Sequence, residues 1–540
     1  MAEAYVRVSH LHFSWPDGRP VFADLSLRLG PLRTGVVAPN GAGKSTLLRL
    51  LAGHLQPSAG RIEVGGRLAY LPQQAALPGE ATVADALGIA ARLRALAAIE
   101  SGSTDPALFD AVGEDWDLAE RSRATLARCG LDDVPLQARL ERFSGGEQAA
   151  LNLAARLLQQ PDVLLLDEPS NHLDRAARQR LYALIDEWRG CLLVASHDRA
   201  LLDRMDQIGE LAPSALRVYG GGYGFYRDAA AREREAAEDQ LRQLRQHDRR
   251  ERSERQQARE RNERRTGNAR RNAPDAGLPR IVAGHLRRAA QVSAAKSEAV
   301  HAARADAART RMSEAAQALR EAPALDLDLP ATRVPAGRTV LRAQGLRYAC
   351  EGRELFAAPG LDLDIRGPER IALGGANGAG KSTLLRLLSG ELVPQAGELR
   401  RGEGRIAVLS QGLDALDPAL SVADHLHRAA PDLPANERAN LLARWLFRGE
   451  RMHLPVAALS GGERLRATLA CVLHAQPAPQ LLLLDEPSNH LDLDATAELE
   501  RALRGYQGAL IVVSHDPAFV DALAPTRRLE LAGGRLREAG

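Results

Sequence analysis

The chain has 540 residues, and its 71 Lys and Arg nearly balance 69 Asp and Glu, leaving a formal charge of +2. So close a balance excludes whole-molecule steering toward nucleic acid or a charged membrane, and any such attraction must come from a local cluster. Hydrophobic residues at 45% and charged residues at 26% suit several soluble cores, while aromatics at 4% leave those cores to Leu, Ala and Val.

Met1 to His10 carries no basic stretch followed by an apolar one. No run nears the roughly 18 consecutive apolar residues that cross a bilayer. The expectation is a cytoplasmic protein without a membrane segment. Cys129, Cys191, Cys350 and Cys471 lie far apart, without Cys-x-x-Cys or His pairs at ligand spacing, and read as thiols in a reducing compartment.

In chain order, a predicted strand from Thr34 to Ala38 runs into Ala38-Pro-Asn-Gly-Ala-Gly-Lys-Ser45, and a helical run follows. This fits the phosphate-binding loop G-x-x-x-x-G-K-[ST], except that Ala38 replaces the leading glycine. Backbone N–H groups of Asn40, Gly41, Ala42 and Gly43 would cradle phosphates at the helix start. Lys44 would neutralise the β- and γ-phosphates, and the Ser45 hydroxyl, with Thr46 beside it, would face Mg²⁺.

Val83 to Gly130 reads as helical in two pieces, Val83 to Glu100 and Pro106 to Gly130, broken at Ser101-Gly-Ser-Thr104. It suits either an enlarged helical subdomain or a partner-contacting arm. After Ser144-Gly-Gly-Glu147, the apolar run Val163 to Leu166 predicts a strand that ends in Asp167-Glu168. Two acids at the carboxyl edge of a sheet, beside the phosphate loop, suit water-mediated Mg²⁺ binding by Asp167 and activation of a water by Glu168. His197 follows another apolar strand, Cys191 to Ala195, and in this order suits a γ-phosphate contact.

From Phe225 to about Arg265 the composition turns to Arg, Glu, Gln and Ala, which predicts a long helix. A second helical stretch runs from about Val282 to Arg320. Thr266-Gly-Asn268 and Asn272-Ala-Pro-Asp-Ala-Gly-Leu-Pro279 carry turn signals between them. The expected element is a long hairpin over 225–322. Its tip gathers Arg264, Arg265, Arg270, Arg271, Arg280, Arg287 and Arg288 against one acid, Asp275. Arginine forks match phosphates bidentately, so the tip is a candidate RNA contact, while the mixed Arg/Glu body suits a solvated helix.

The remaining chain repeats the first part in the same order. Gly375-Ala-Asn-Gly-Ala-Gly-Lys-Ser382 is a full phosphate loop, comprising Gly375, Ala376, Asn377, Gly378, Ala379, Gly380, Lys381 and Ser382, with Thr383 beside it. Ser460-Gly-Gly-Glu463, Asp485-Glu486 after the apolar run Leu481 to Leu484, and His515 after Ala509 to Val513 complete the copy. Glu168 to His197 and Glu486 to His515 both span 29 positions. Gln73 to Ser144 spans 71 and Gln411 to Ser460 only 49, so the first copy carries 22 extra residues there.

Ser144-Gly-Gly-Glu-Gln148 and Leu459-Ser-Gly-Gly-Glu463 resemble the signature of ATP-binding-cassette proteins, with Phe143 replacing the usual Leu in the first copy. The resemblance implies an α/β chain with two P-loop NTPase cassettes, 1–224 and 323–540, joined by the hairpin. It also implies two composite ATP sites within one monomer, each hydrolysing ATP with Mg²⁺. One would pair Lys44, Ser45, Gln73, Asp167, Glu168 and His197 with Ser460, Gly461 and Gly462. The other would pair Lys381, Ser382, Gln411, Asp485, Glu486 and His515 with Ser144, Gly145 and Gly146. Glu168, Glu486, His197 and His515 would be catalytic, and Ser45, Gln73, Asp167, Ser382, Gln411 and Asp485 would hold Mg²⁺. Trp15 and Tyr348 suit either adenine stacking or a place in the core or surface.

Glu168-Pro-Ser-Asn-His-Leu-Asp174 and Glu486-Pro-Ser-Asn-His-Leu-Asp492 are similar to the E-P-T-N-H-L-D segment of the ABC-F family. Tyr219-Gly-Gly-Gly-Tyr-Gly-Phe-Tyr226 resembles that family's Y-x-G-N-Y-x-x-Y segment, with Gly222 in place of Asn. The resemblance implies action on the ribosome, with the interdomain helices reaching rRNA and tRNA, in translation or in antibiotic resistance. The competing expectation is a cytosolic ATPase subunit of a membrane transporter, which has no evident use for an Arg-tipped hairpin. A DNA-handling ATPase would call for a zinc module or a longer coiled coil.

Overall fold

The computed structural model describes residues 5–73, 80–171, 173–272, 329–350, 353–409, 416–489 and 491–539. The chain divides into two units, one of residues 1–224 with 323–540 and one of residues 225–322.

In the first cassette the antiparallel strands β1 (Tyr5–Ser14) and β2 (Pro20–Leu29) precede β3 (Arg33–Val37), helix α1 (Lys44–Leu51) and strands β4 (Ala59–Gly65) and β5 (Leu68–Leu71). Four short helices follow: α2 (Val83–Ala86), α3 (Ala90–Glu100), α4 (Pro106–Val112) and α5 (Leu118–Arg128). Each of the two expected helical pieces is therefore split once more. Gly88 and Gly113 stand at the extra breaks with φ of 72° and 56°, a conformation that glycine adopts without steric cost.

Then come α6 (Gly145–Leu157), β6 (Val163–Asp167), α7 (Arg175–Asp186), β7 (Cys191–Ala195), α8 (Arg199–Leu202), β8 (Gln207–Leu211) and β9 (Leu216–Gly220). The order β5-β6-β7-β3-β8-β9 makes a six-stranded sheet, parallel except at β8–β9, and β2-β1-β4 makes a three-stranded antiparallel sheet. Every residue of β6 and β7 is buried, which is why both read as unbroken apolar runs rather than alternating ones.

The second cassette repeats this plan with β10 (Thr339–Cys350), β11 (Arg353–Arg366), β12 (Arg370–Gly374), α10 (Lys381–Ser389), β13 (Ala396–Arg401) and β14 (Arg405–Leu409). It continues through α11 (Val422–Ala429), α12 (Ala435–Arg444), α13 (Gly461–Leu473), β15 (Pro479–Asp485), α14 (Leu493–Gly505), β16 (Ala509–Val513), α15 (Pro517–Ala522), β17 (Arg527–Ala532) and β18 (Arg535–Glu538). Its sheets run β14-β15-β16-β12-β17-β18 and β11-β10-β13, strand for strand the order of the first copy. Parallel strands buried on both faces bring all their carboxyl ends to one edge, where α/β sheets bind ligands.

The second unit contributes one described element, helix α9, Tyr223–Asn272, whose start lies in the first unit. It passes straight through Thr266-Gly-Asn268, where a turn was expected. One glycine costs a helix about 1 kcal/mol, too little to break it between runs of Arg, Glu and Gln. Arg264, Arg265, Arg270 and Arg271 thus belong to the helix, and Arg264 is exposed. Arg280, Arg287, Arg288 and the expected returning helix lie outside the described residues.

Candidate functional site: two phosphate loops facing acids and histidines

Each phosphate loop ends in a glycine that caps the following helix in a left-handed conformation, Gly43 at φ 100° and Gly380 at φ 99°. A side chain at position 43 would also strike Val21 and Phe22, with an ideal Cβ only 2.6 Å from Val21 Cγ1. Gly375 stands at φ 139°, whereas Ala38, its counterpart, has no positive φ, so the first loop reaches the same helix start without the leading glycine. Lys44 donates to the carbonyl of Ala38 at 2.8 Å and Lys381 to that of Gly375 at 2.7 Å. Both ammonium groups are folded back over their own loops.

The acids sit where their strands end. Asp167 closes β6, fully buried, and its Oδ1 accepts from the Ser45 hydroxyl at 3.0 Å. Glu168, the next residue, has φ 49°, and Glu486 has φ 47°. Such φ values are uncommon for non-glycine residues and cost about 1–3 kcal/mol, a strain found where surrounding structure dictates a side chain's aim. Here the Glu168 N–H is held by the Ala195 carbonyl at 2.8 Å and the Glu486 N–H by Val513 at 2.9 Å. The neighbouring strand therefore turns both carboxylates toward the histidine that follows it. Nε2 of His197 lies 3.5 Å from Oε1 of Glu168, and His515 repeats the distance with Glu486. Nε2 of His515 also lies 3.2 Å from Oδ1 of Asn377.

Burial dominates the electrostatics. It pushes the Glu168 carboxyl up to about 8, with Lys44 opposing and Asp167 adding to the rise. It pushes Glu486 up to about 7, opposed by the His515 N–H. The histidines move the other way, His197 to about 3 through burial and Lys44, His515 to about 4 through burial, Lys381 and Arg178. Lys44 and Lys381 are lowered by burial as well, against the pull of Glu168 and Glu486. A carboxyl group held near neutrality beside a neutral imidazole can exchange a proton with water at working pH.

The cleft over Lys44 has a volume of about 500 Å³ and is lined by both cassettes. From the first come Trp15, Asn40, Lys44, Ser45, Gln73 and His197; from the second, Ser488, Asn489, Leu491, Thr496 and Asp516. Ser460, Gly461 and Gly462 are not among the lining residues. Trp15 also meets Phe13 edge-on at 5.2 Å, while Tyr348 packs against the core of the second cassette. Both Ser-Gly-Gly segments start helices: Ser144 and Ser460 are N-caps in reciprocal boxes with Glu147 and Glu463.

Three cross-cassette contacts were not legible in the sequence. Asp492 accepts from the Asn40 N–H at 2.9 Å. Arg178 donates to the His515 carbonyl at 3.2 Å, and Arg199 pairs with Glu500 at 2.7 Å. Asp492 lies in a repeated segment, but nothing in that repetition says which loop it meets.

Ser45 and Asp167 suit Mg²⁺, being a hydroxyl and a carboxylate oxygen 3.0 Å apart at the phosphate loop. Mg²⁺ typically takes one or two carboxylates with substrate phosphates and water, and among the described residues no group of three His, Cys, Asp or Glu forms a protein cage. Ser382 and Asp485 hold the matching positions in the second copy, and Gln411 lies outside the described residues.

With this geometry in place, the family model described as "ABC transporter" matches twice, over residues 23–171 and 359–489. The tylosin resistance ATP-binding protein TlrC of Streptomyces fradiae is 35% identical, across 93% of this chain and 92% of its own length. The chain belongs to the ABC-F type of tandem ATP-binding-cassette proteins. The ATP-binding protein Uup of Caulobacter vibrioides is 32% identical across 97% of this chain and 77% of that relative. Among solved structures, the archaeal ribosome recycling factor aABCE1, in complex with stalk protein aP1, matches with a TM-score of 0.53 at 19% identity, covering 98% of this chain and 89% of that one. At that identity the likeness concerns the fold, and it supports two P-loop cassettes in tandem. Cassettes of this family bind ATP. No helix among the described residues of this ABC-F chain is long and apolar enough to cross a membrane.

Proposed function

We propose that this ABC-F chain hydrolyses ATP at both phosphate loops and uses the resulting opening and closing of its cassettes on the ribosome. The observation that carries the catalytic part is the pair of left-handed glutamates, Glu168 and Glu486, each held by a neighbouring strand and 3.5 Å from a histidine. In this reading Lys44 and Lys381 leave their loop carbonyls to meet the β- and γ-phosphates of ATP. Glu168 and Glu486 orient the attacking water and accept its proton, and His197 and His515 contact the γ-phosphate. Mg²⁺, held by Ser45 and Asp167 or by Ser382 and Asp485 with Gln73 and Gln411 alongside, would neutralise phosphate charge.

Closure would bring Ser460, Gly461 and Gly462 over the ATP on Lys44, and Ser144, Gly145 and Gly146 over that on Lys381. Gly145 and Gly461 begin helices α6 and α13, so their N–H groups lie at the positive end of a helix dipole, which suits a phosphate.

The ribosomal part is supported by the arginines of α9 and by the kinship with TlrC, whose name records resistance to tylosin. Arg264, Arg265, Arg270 and Arg271 would meet rRNA or tRNA phosphates, with Arg280, Arg287 and Arg288. A Glu168→Gln, Glu486→Gln variant should pellet with bacterial ribosomes in ATP but not in ADP. Absence from the pellet under both conditions would contradict the ribosomal reading and leave a transporter-coupled ATPase as the alternative.

A further inference from the structure

The two cassettes also differ where the helix after the Ser-Gly-Gly segment packs on the helix after the Asp-Glu-Pro segment. In the second, Arg466 on α13 and Glu498 on α14 form a bidentate ion pair, Nη1 standing 2.9 Å and 3.0 Å from the two carboxylate oxygens. The glutamate side chain is 5% exposed, so the pair plugs the space between the two helices. Aligning the Ser-Gly-Gly and Asp-Glu-Pro segments puts Ala150 of α6 opposite Arg466, and Arg180 of α7 opposite Glu498. The first cassette thus lacks the plug and carries the opposite charge at one of the two positions.

What stands there instead is a cavity of about 360 Å³, its lining including Ala150, Leu153, Leu181 and Leu184, with Arg180 also on its wall. That volume is within the range of small-molecule sites, which pair apolar walls with a few placed polar groups. The Arg180 side chain crosses Gly130, where an ideal Cβ would sit 2.4 Å from its Nη1, so the absent side chain at 130 is what admits it. Arg180 is exposed, and among the described residues no carboxylate forms an ion pair with it, whereas its buried counterpart Glu498 is paired.

We propose that the first cassette carries a ligand site that takes a small aromatic carboxylate. The ring fills the leucine-lined cavity, and the carboxylate takes the place on the Arg180 guanidinium that no acid of the described chain fills. The cavity shares Gln73, Glu168 and Asn171 with the cleft over Lys44, so an occupant lies directly behind Glu168. Occupancy should therefore alter ATP turnover at the first site, a consequence that rests on the catalytic role proposed for Glu168. Binding itself does not depend on that role.

The experiment titrates the full chain with 2-naphthoate by calorimetry, with 2-naphthylmethylamine as the probe of opposite charge. Naphthoate should bind one per chain, at least tenfold more tightly than the amine. Restoring the second cassette's pair with Ala150→Arg and Arg180→Glu should weaken naphthoate at least tenfold while ATP affinity is retained. Ala150→Leu, which fills the cavity without a charge, should weaken it too and guards against misfolding of the double variant. No naphthoate binding at millimolar concentration, equal binding of the amine, or binding unchanged in both variants would each overturn the proposal. ATP turnover at the first site left unaltered by bound naphthoate would instead strike the role of Glu168.

Discussion

One carboxylate oxygen of Asp492 accepts the backbone N–H of Asn40 at 2.9 Å, while the other accepts the N–H of Ala495 at 2.9 Å and caps helix α14. A single side chain thus joins the helix cap of the second cassette to the phosphate loop of the first. Asp492 also raises the Lys44 pKa against the lowering by burial. A phosphate arriving at the loop would compete for the same N–H, so this contact bears on how ATP couples the cassettes.

Removing it should separate the two duties. Asp492→Ala loses both, and loss of a helix cap costs about 1 kcal/mol. Asp492→Ser keeps a capping oxygen but is too short to span the interface. Thermal unfolding should show a lowered midpoint for Ala and little change for Ser. ATP turnover in the Glu486→Gln background should fall several-fold in both. Wild-type turnover in Asp492→Ser would mean that the contact with Asn40 has no part in the first site.

The catalytic assignment makes a sharper demand. Glu168→Gln with Glu486→Gln keeps the shape and the phosphate contacts but removes the proton acceptor, so steady-state ATP turnover should drop by about 10² or more. Nucleotide affinity should stay within a few-fold of wild type. Turnover close to wild type in the double variant would remove both glutamates from the mechanism.

His474 supplies a pH test away from the ATP sites. Burial, helped by Arg444, lowers it from the ordinary 6.5 to about 4, and it meets Trp445 edge-on at 6.1 Å. Between those values the unfolded chain binds a proton that the folded chain does not. Stability should therefore be at its full value above pH 6.5 and fall as pH drops toward 4, by about 3 kcal/mol from this residue. His474→Gln should flatten the unfolding-midpoint curve over that window. An unchanged slope would show that His474 does not carry the proton.

How far the sequence reached follows from what each feature depends on. The loops around Lys44 and Lys381, and the acids at the ends of β6 and β15, are local, and contiguous residues carry them. Strands β6 and β7 were legible because burial on both faces leaves an unbroken apolar run. The Asn40–Asp492 contact was not, because it depends on docking between segments 452 positions apart. The continuity of α9 through Gly267 was not legible, because turn propensity belongs to single residues while helix continuation is cooperative. The cavity beside Ala150 was not legible either, because it depends on which faces of α6 and α7 meet.

The central claim, that ATP-driven closure is used on ribosomal RNA, is tested most directly by ribosome co-sedimentation across a salt series. The comparison is between the Glu168→Gln, Glu486→Gln chain and the same chain with Arg264, Arg265, Arg270 and Arg271 changed to Glu. If these side chains displace counterions from RNA phosphate, the parent should release steeply as salt rises. The reversed variant should bind more weakly with a shallower slope, while the ATP affinity of the two chains stays the same. Superimposable salt curves would contradict the account, because the arginines of α9 would then have no part in holding the ribosome.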